Sequence, residues 1–202
     1  TMLDWGDRGL TATDMGTLGM VMSLGSLPVL EFLLLSHNRF GNDGMSQLFS
    51  GLGCSAAPPL TILCLDANDV GPAGAAALAA AIDRGAVPRL VVLHLSQTPL
   101  GDEGLAALAR PLRRLRALKR LYLTDYSIGD RGVAALVENL GHEELKLDRL
   151  HLQSNVIGDT GCASLTAAID GGALRRIKEV RWGASQPEGL TGTGSLSICN
   201  NP

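Results

Sequence analysis

The chain has 202 residues, 46% of them hydrophobic and 18% charged, and a formal net charge of −3. That balance fits a globular fold and argues against intrinsic disorder and against a strongly basic nucleic-acid binder. No apolar run approaches the roughly 20 residues that span a bilayer, and the opening TMLDWGDRGL lacks the basic end and apolar centre of a signal peptide.

A start at Thr1 in mid-pattern is what a fragment of a longer protein would show. The first unit is marked by Leu3, Trp5, Leu10, Asp14, Gly16, Met20 and Leu24, read with two extra residues in its turn. One sentence is then written five times: LLLSHNRFGNDG (33–44), LCLDANDVGPAG (63–74), LHLSQTPLGDEG (93–104), LYLTDYSIGDRG (121–132) and LHLQSNVIGDTG (150–161). The leading residues Leu30, Leu60, Leu90, Leu118, Leu147 and Ile177 set the units 28–30 residues apart. Self-similarity at a fixed period is the signature of a repeat architecture. It divides a single domain, 1–202, into units at 1–27, 28–57, 58–87, 88–116, 117–145, 146–175 and an irregular last unit at 176–202.

Each position of the unit has a physical task. Leu33 and Leu35, like Leu93 and Leu95, alternate at period two and send one strand face inward. This predicts strands near 32–36, 62–66, 92–96, 120–124 and 149–153. Gly41, Gly71, Gly101, Gly129 and Gly158 permit a turn that a Cβ would hinder, and Asp102, Asp130 and Asp159 occupy the expected helix N-cap. In the second full unit Pro72 follows Gly71, at a position suited to the start of a helix. Leu108 and Leu112, Leu136 and Leu140, Leu165 and Ile169 follow at the spacing of one helix face. Helices are expected near 43–53, 73–83, 102–115, 130–140 and 159–170, with Pro111 kinking or ending the third of these. Pro28, Pro58, Pro59 and Pro88 separate helices from the next strands.

The repeated pattern resembles a leucine-rich repeat of the ribonuclease-inhibitor type, and the resemblance covers nearly the whole chain. It implies an α/β fold: a horseshoe-shaped solenoid with a concave parallel β-sheet and convex α-helices. It also implies an asparagine ladder between repeats, here Asn38, Asn68 and Asn155, interrupted by Arg8, Thr98, Tyr126 and Ser185.

No phosphate loop, zinc-protease helix or nucleophile elbow stands out. GLTGTG (189–194) lacks the lysine and the strand-to-helix setting of a phosphate loop and reads as a terminal turn. Cys54, Cys64, Cys162 and Cys199 have no tight spacing and read as thiols in a reducing, intracellular and cytoplasmic setting. His94 and His151 share a strand column two strands apart. That puts them about 10 Å from each other, too far for one zinc ion. No metal, cofactor or catalytic residue is therefore expected.

The outward columns carry more information. Position three runs Phe32, Ile62, Val92, Arg120, Arg149, Glu179, and position five runs Leu34, Cys64, His94, Tyr122, His151, Arg181. The N-terminal half of the sheet face is apolar and the C-terminal half polar, the signature of an interaction patch, unless a flanking segment covers it. Arg110, Arg113, Arg114, Arg116, Lys119 and Arg120, six of the 17 basic residues, form either a solvated helix end or a docking spot for an acidic segment. The expected function is non-enzymatic. It is a protein-interaction scaffold, a module of a larger chain or assembly, contacting a protein partner through Phe32, Leu34, Ile62, Cys64, Val92, His94, Tyr122 and His151, with Arg113 and Arg114 at the side. Neither nucleic acid nor membrane insertion is expected. The resemblance also implies an alternative, a GTPase-activating regulator of a small Ran-like GTPase.

Overall fold

The structure, a computed structural model, describes residues 1–50, 52, 57–124, 127–140, 147–172, 174 and 177–183, together with the backbone of 195–197. Strand and helix alternate: β1 (Met2–Asp4), α1 (Ala12–Ser23), β2 (Phe32–Leu34), α2 (Gly41–Ser50), β3 (Ile62–Cys64), α3 (Pro72–Asp83), β4 (Val92–His94) and α4 (Gly101–Leu112). Then come β5 (Arg120–Tyr122), α5 (Asp130–Leu140), β6 (Arg149–Gln153), α6 (Asp159–Asp170), β7 (Glu179–Gly183) and β8 (Ser195–Ser197). Strands β1 to β7 pair in parallel in chain order, and β8 joins antiparallel to β7. This is an α/β leucine-rich-repeat solenoid, with each unit advancing the sheet by one strand and the helix layer by one helix.

One leucine column forms the seam of the sheet. Leu33, Leu63, Leu93, Leu121 and Leu150 stand in direct register and are fully buried or nearly so. The helices close over them with Leu48, Leu78, Leu108, Leu136 and Leu165, giving one core along the stack. Because every unit shares its leucines with two neighbours, a single repeat could not bury them alone.

Most strands are shorter than the pattern predicted, three residues where five were expected. Just beyond the expected strand ends, His37, Ala67, Gln97 and Ser154 hold left-handed backbone at φ 59°, 54°, 56° and 60°, which turns the chain out of the sheet. Backbone pairing nonetheless runs one step further, Leu65 donating to the His94 carbonyl and Leu95 to that of Tyr122, both at 3.0 Å.

The first unit requires a correction. Met20 and Leu24 are 61% and 71% exposed, whereas Met15, Leu18 and Met22 form the buried face of α1. There is no two-residue insertion: Asp14 stands where later units have their second glycine, and its carboxylate accepts the Thr11 N–H at 2.8 Å. The expected role of the aspartates also changes. Asp130 and Asp159 begin their helices and Asp102 is the second residue of its own, so none caps its own helix. The carboxylates of Asp102 and Asp130 instead reach the backbone of the following repeat.

Pro111 lies in the last turn of α4, which ends one residue later at Leu112, short of the predicted 115. Arg113, Arg114 and Leu115 continue in tighter turns, donating to the carbonyls of Arg110, Pro111 and Leu112. Pro111 has no N–H to give the Ala107 carbonyl and its ring crowds that turn, and just beyond it the bonding changes to the tighter pattern.

The asparagine ladder forms and breaks as its residues dictate. Asn68 donates to the carbonyls of Leu35 and Leu65, at 2.8 and 3.0 Å, and accepts the Asn38 N–H at 2.9 Å, so it joins two repeats. Asn155 does the same with Leu123, Leu152 and the Ile128 N–H. Thr98, as buried as Asn68, has one short hydroxyl and among the described residues donates within its own repeat, to the Leu95 carbonyl at 2.8 Å. Tyr126 and Ser185, the other expected breaks, lie outside the described residues, as do Cys54, Cys199 and GLTGTG.

Candidate functional site

The face of the sheet turned away from the helices carries the two outward columns in register. Phe32 pairs with Ile62 and Ile62 with Val92, while Leu34 pairs with Cys64 and Cys64 with His94. Equivalent positions on adjacent strands lie about 4.8 Å apart, so these side chains form one continuous surface. Phe32, Leu34, Ile62 and Cys64 are half-buried, open to a partner on their outer side. Val92 departs from the expected set: at 7% exposure it is buried and offers almost no contact area. A neighbour on the other side takes its place. Met2, in register with Phe32 and 62% exposed, extends the apolar column to the sheet edge. The opening strand is where the repeat pattern is weakest, which is why the sequence did not bring Met2 forward.

Past the apolar half, position five becomes aromatic. The rings of His94 and Tyr122 stack with centroids 4.1 Å apart, and His151 meets Tyr122 edge-on at 4.7 Å. Tyr122 thus fills the space between the two histidines. Burial holds His151 below the usual histidine range, with Glu179 opposing the shift and Arg181 and Arg149 adding to it. Its Nε2 has no hydrogen-bond partner among the described residues, the Glu179 carboxylate standing 3.9 Å away.

A charged group closes the C-terminal end. Glu179 takes Arg149 at 3.4 Å and also pairs with Arg181. The basic segment, by contrast, is split by the fold. Arg120 is on β5 in register with Val92 and Arg149, whereas Arg113 and Arg114 lie just past the end of α4. Arg114 is engaged with Asp83 at 2.7 Å, both side chains being exposed. The sheet columns and Arg113–Arg114 are therefore two surfaces, not one.

Sequence reasoning tested the histidines only against each other and missed a tighter grouping. Cys64, Asp66 and His94 bring one ligand-type atom each to within 4.8 Å of one another. The signal was present: Cys64 and His94 occupy the same column on adjacent strands, and Asp66 follows Cys64 by two, on the same strand side. A groove of about 650 Å³ opens at the first unit and is lined mainly by Leu3, Trp5, Leu10, Leu18, Val21 and Leu27. Among the described residues, no helix is long and apolar enough to cross a membrane.

A leucine-rich-repeat family model matches residues 26–49, 89–109 and 145–165. No curated protein gives a significant match. Among solved structures, a leucine-rich repeat protein of Leptospira interrogans aligns over 78% of this chain at 19% identity with a TM-score of 0.33. The chain spans less than half of that protein, 44% of its length. Leucine-rich repeats generally mediate protein–protein interaction. The chain carries leucine-rich repeats, and their stacking is its fold.

Proposed function

We propose that the chain is a non-enzymatic scaffold that binds a protein partner through the outer face of its sheet, as a module of a larger chain or assembly. One observation carries this reading. Met2, Phe32 and Ile62 in one column, with Leu34 and Cys64 in the next, form an in-register apolar surface on the face opposite the helices. Contiguous exposed apolar surface rimmed by polar groups marks interaction sites in globular proteins. Here the rim is the His94–Tyr122–His151 stack and the Glu179 charge group.

Energy at such a surface concentrates in a few anchors, aromatic ones above all, so Phe32 and Tyr122 are the strongest contributors in this reading. Arg113 and Arg114, set apart from the sheet, act on association rate and its salt dependence. The test is affinity capture from source lysate with the wild-type chain and with a Phe32→Ala, Leu34→Ala double variant, each checked for fold by circular dichroism. Recovery of a protein by the wild type and its loss from the folded double variant support the reading. Equal recovery by both moves the contact to the helices or to the lateral loops.

A further inference from the structure

We propose that Cys64, Asp66 and His94 form a binding site for a zinc-class divalent metal ion on the sheet face, with three protein ligands and a fourth position open to water or to a donor side chain. Cys64 and His94 also belong to the face proposed for the protein partner, but the metal site is tested on the chain alone, without a partner.

The geometry is that of a site built on two rungs. Cys64 ends β3 and Asp66 follows two residues later, so both side chains leave the same side of the strand. His94 ends β4 directly opposite Cys64. The three ligand-type atoms lie within 4.8 Å of one another. The Asp66 Oδ2 to His94 Nδ1 separation is 3.5 Å. That is long for a hydrogen bond. It matches the edge of a tetrahedron about a zinc ion, about 3.3 Å for metal–ligand bonds of roughly 2.0–2.2 Å.

The surroundings fit ligands rather than a plain polar cluster. Asp66 is held through both oxygens, Oδ1 by the Ser96 N–H at 2.7 Å and Oδ2 by the Ser36 hydroxyl at 3.3 Å. The His94 ring is fixed against Tyr122. Such outer contacts orient ligands and tune their affinity. Thiolate, imidazole and carboxylate together suit zinc better than magnesium or calcium, which prefer all-oxygen shells.

Protonation follows from the same placement. Burial pushes the Cys64 thiol up to about 11, with Asp66 and Asp4 adding to the rise. Binding then breaks the S–H bond, forms the sulfur–metal bond and releases one proton to solvent. No electron is transferred.

The test uses cobalt(II) as a spectroscopic stand-in and zinc in competition with a chromophoric chelator, on the full chain. One equivalent of cobalt should produce a thiolate-to-cobalt charge-transfer band, and zinc should abolish it. Cys64→Ser should remove the band and Cys162→Ser should keep it. Asp66→Asn should weaken zinc binding by at least about 10-fold, and Ser36→Ala should do so by about 10-fold. Absence of the band, or its survival in Cys64→Ser, overturns the proposal. Should Cys64→Ser fail to fold, wild-type alkylation read by mass spectrometry decides. Zinc should protect Cys64 and leave Cys162 unprotected, and equal labelling of Cys64 with and without zinc overturns the site.

Discussion

The carboxylate of Asp102 accepts the backbone N–H groups of both Gly129, at 2.7 Å, and Gly132, at 2.9 Å, so one repeat caps the helix of the next. Asn42 does the same for Gly71 and Gly74, at 2.8 Å each, and Asp130 reaches Gly158 at 2.7 Å. Where the preceding unit offers Ala12 or Pro72 at this position, no such acceptor exists, and the glycine turns left-handed, at φ 57° for Gly41 and 63° for Gly101. Capped glycines stay extended, as Gly71 does at φ −95° and Gly158 at −92°. The side chain of one unit therefore selects the turn conformation of the next.

Removing that cap should be measurable. Asp102→Ala leaves the Gly129 and Gly132 donors without their acceptor and should lower stability by about 1 kcal/mol, the usual worth of an N-cap. Asp102→Asn keeps an acceptor oxygen and should retain most of it. Urea titration of the two variants separates these outcomes, and equal loss in both would assign the effect to charge instead.

The shared leucines should be costlier. Leu93 is fully buried and Leu123 is 1% exposed. Replacing either with alanine should cost roughly 2–5 kcal/mol through lost burial and an unfilled cavity. Denaturant melts showing a loss under about 1 kcal/mol would place them outside the core.

Ala67 holds φ 54° without a side chain that could hydrogen-bond locally to offset the strain. Ala67→Gly should raise stability, by up to about 1 kcal/mol, because glycine adopts this conformation freely. Thermal melting of the single variant reads the sign directly, and a lower midpoint would contradict the strain argument.

Much of this was legible in the sequence and some of it was not, for identifiable reasons. Parallel order, helix positions and the ladder break at Thr98 follow from the periodic leucines and from the reach of each side chain, both of them local properties. The first unit misled because Asp14 replaces the glycine that sets the register elsewhere, and Gly16 offers a false substitute. Val92 misled because it shares the outward column, while its fractional burial is set by packing that no period encodes. Cys64, Asp66 and His94 come together only when adjacent rungs are aligned side by side, a relationship between positions 30 residues apart.

His151 supplies part of the pH dependence, as does His94, which burial also lowers. The folded-state pKa of His151 is lowered, chiefly by burial, so the unfolded chain binds the proton more readily. Its contribution to stability is complete above the ordinary histidine value of 6.5 and declines as pH falls from there through the lower folded-state value. Glu179, Arg149, Arg181 and Tyr122 face it, and only the glutamate favours its charged form. His151→Gln should flatten the stability profile on the acid side of that value, as followed by urea midpoints. An unchanged slope would show that His151 remains accessible to protons in the folded state.

The central claim is that the apolar half of the sheet face is a protein-binding surface, and a calorimetric titration of the captured partner tests it most directly. Phe32→Ala and Tyr122→Ala, each folded, should weaken binding by about 2 kcal/mol or more, the scale of interface anchors. Arg113→Ala with Arg114→Ala should mainly reduce the salt dependence. Losses below about 1 kcal/mol at both aromatic positions, beside a larger loss at the arginines, would contradict the account.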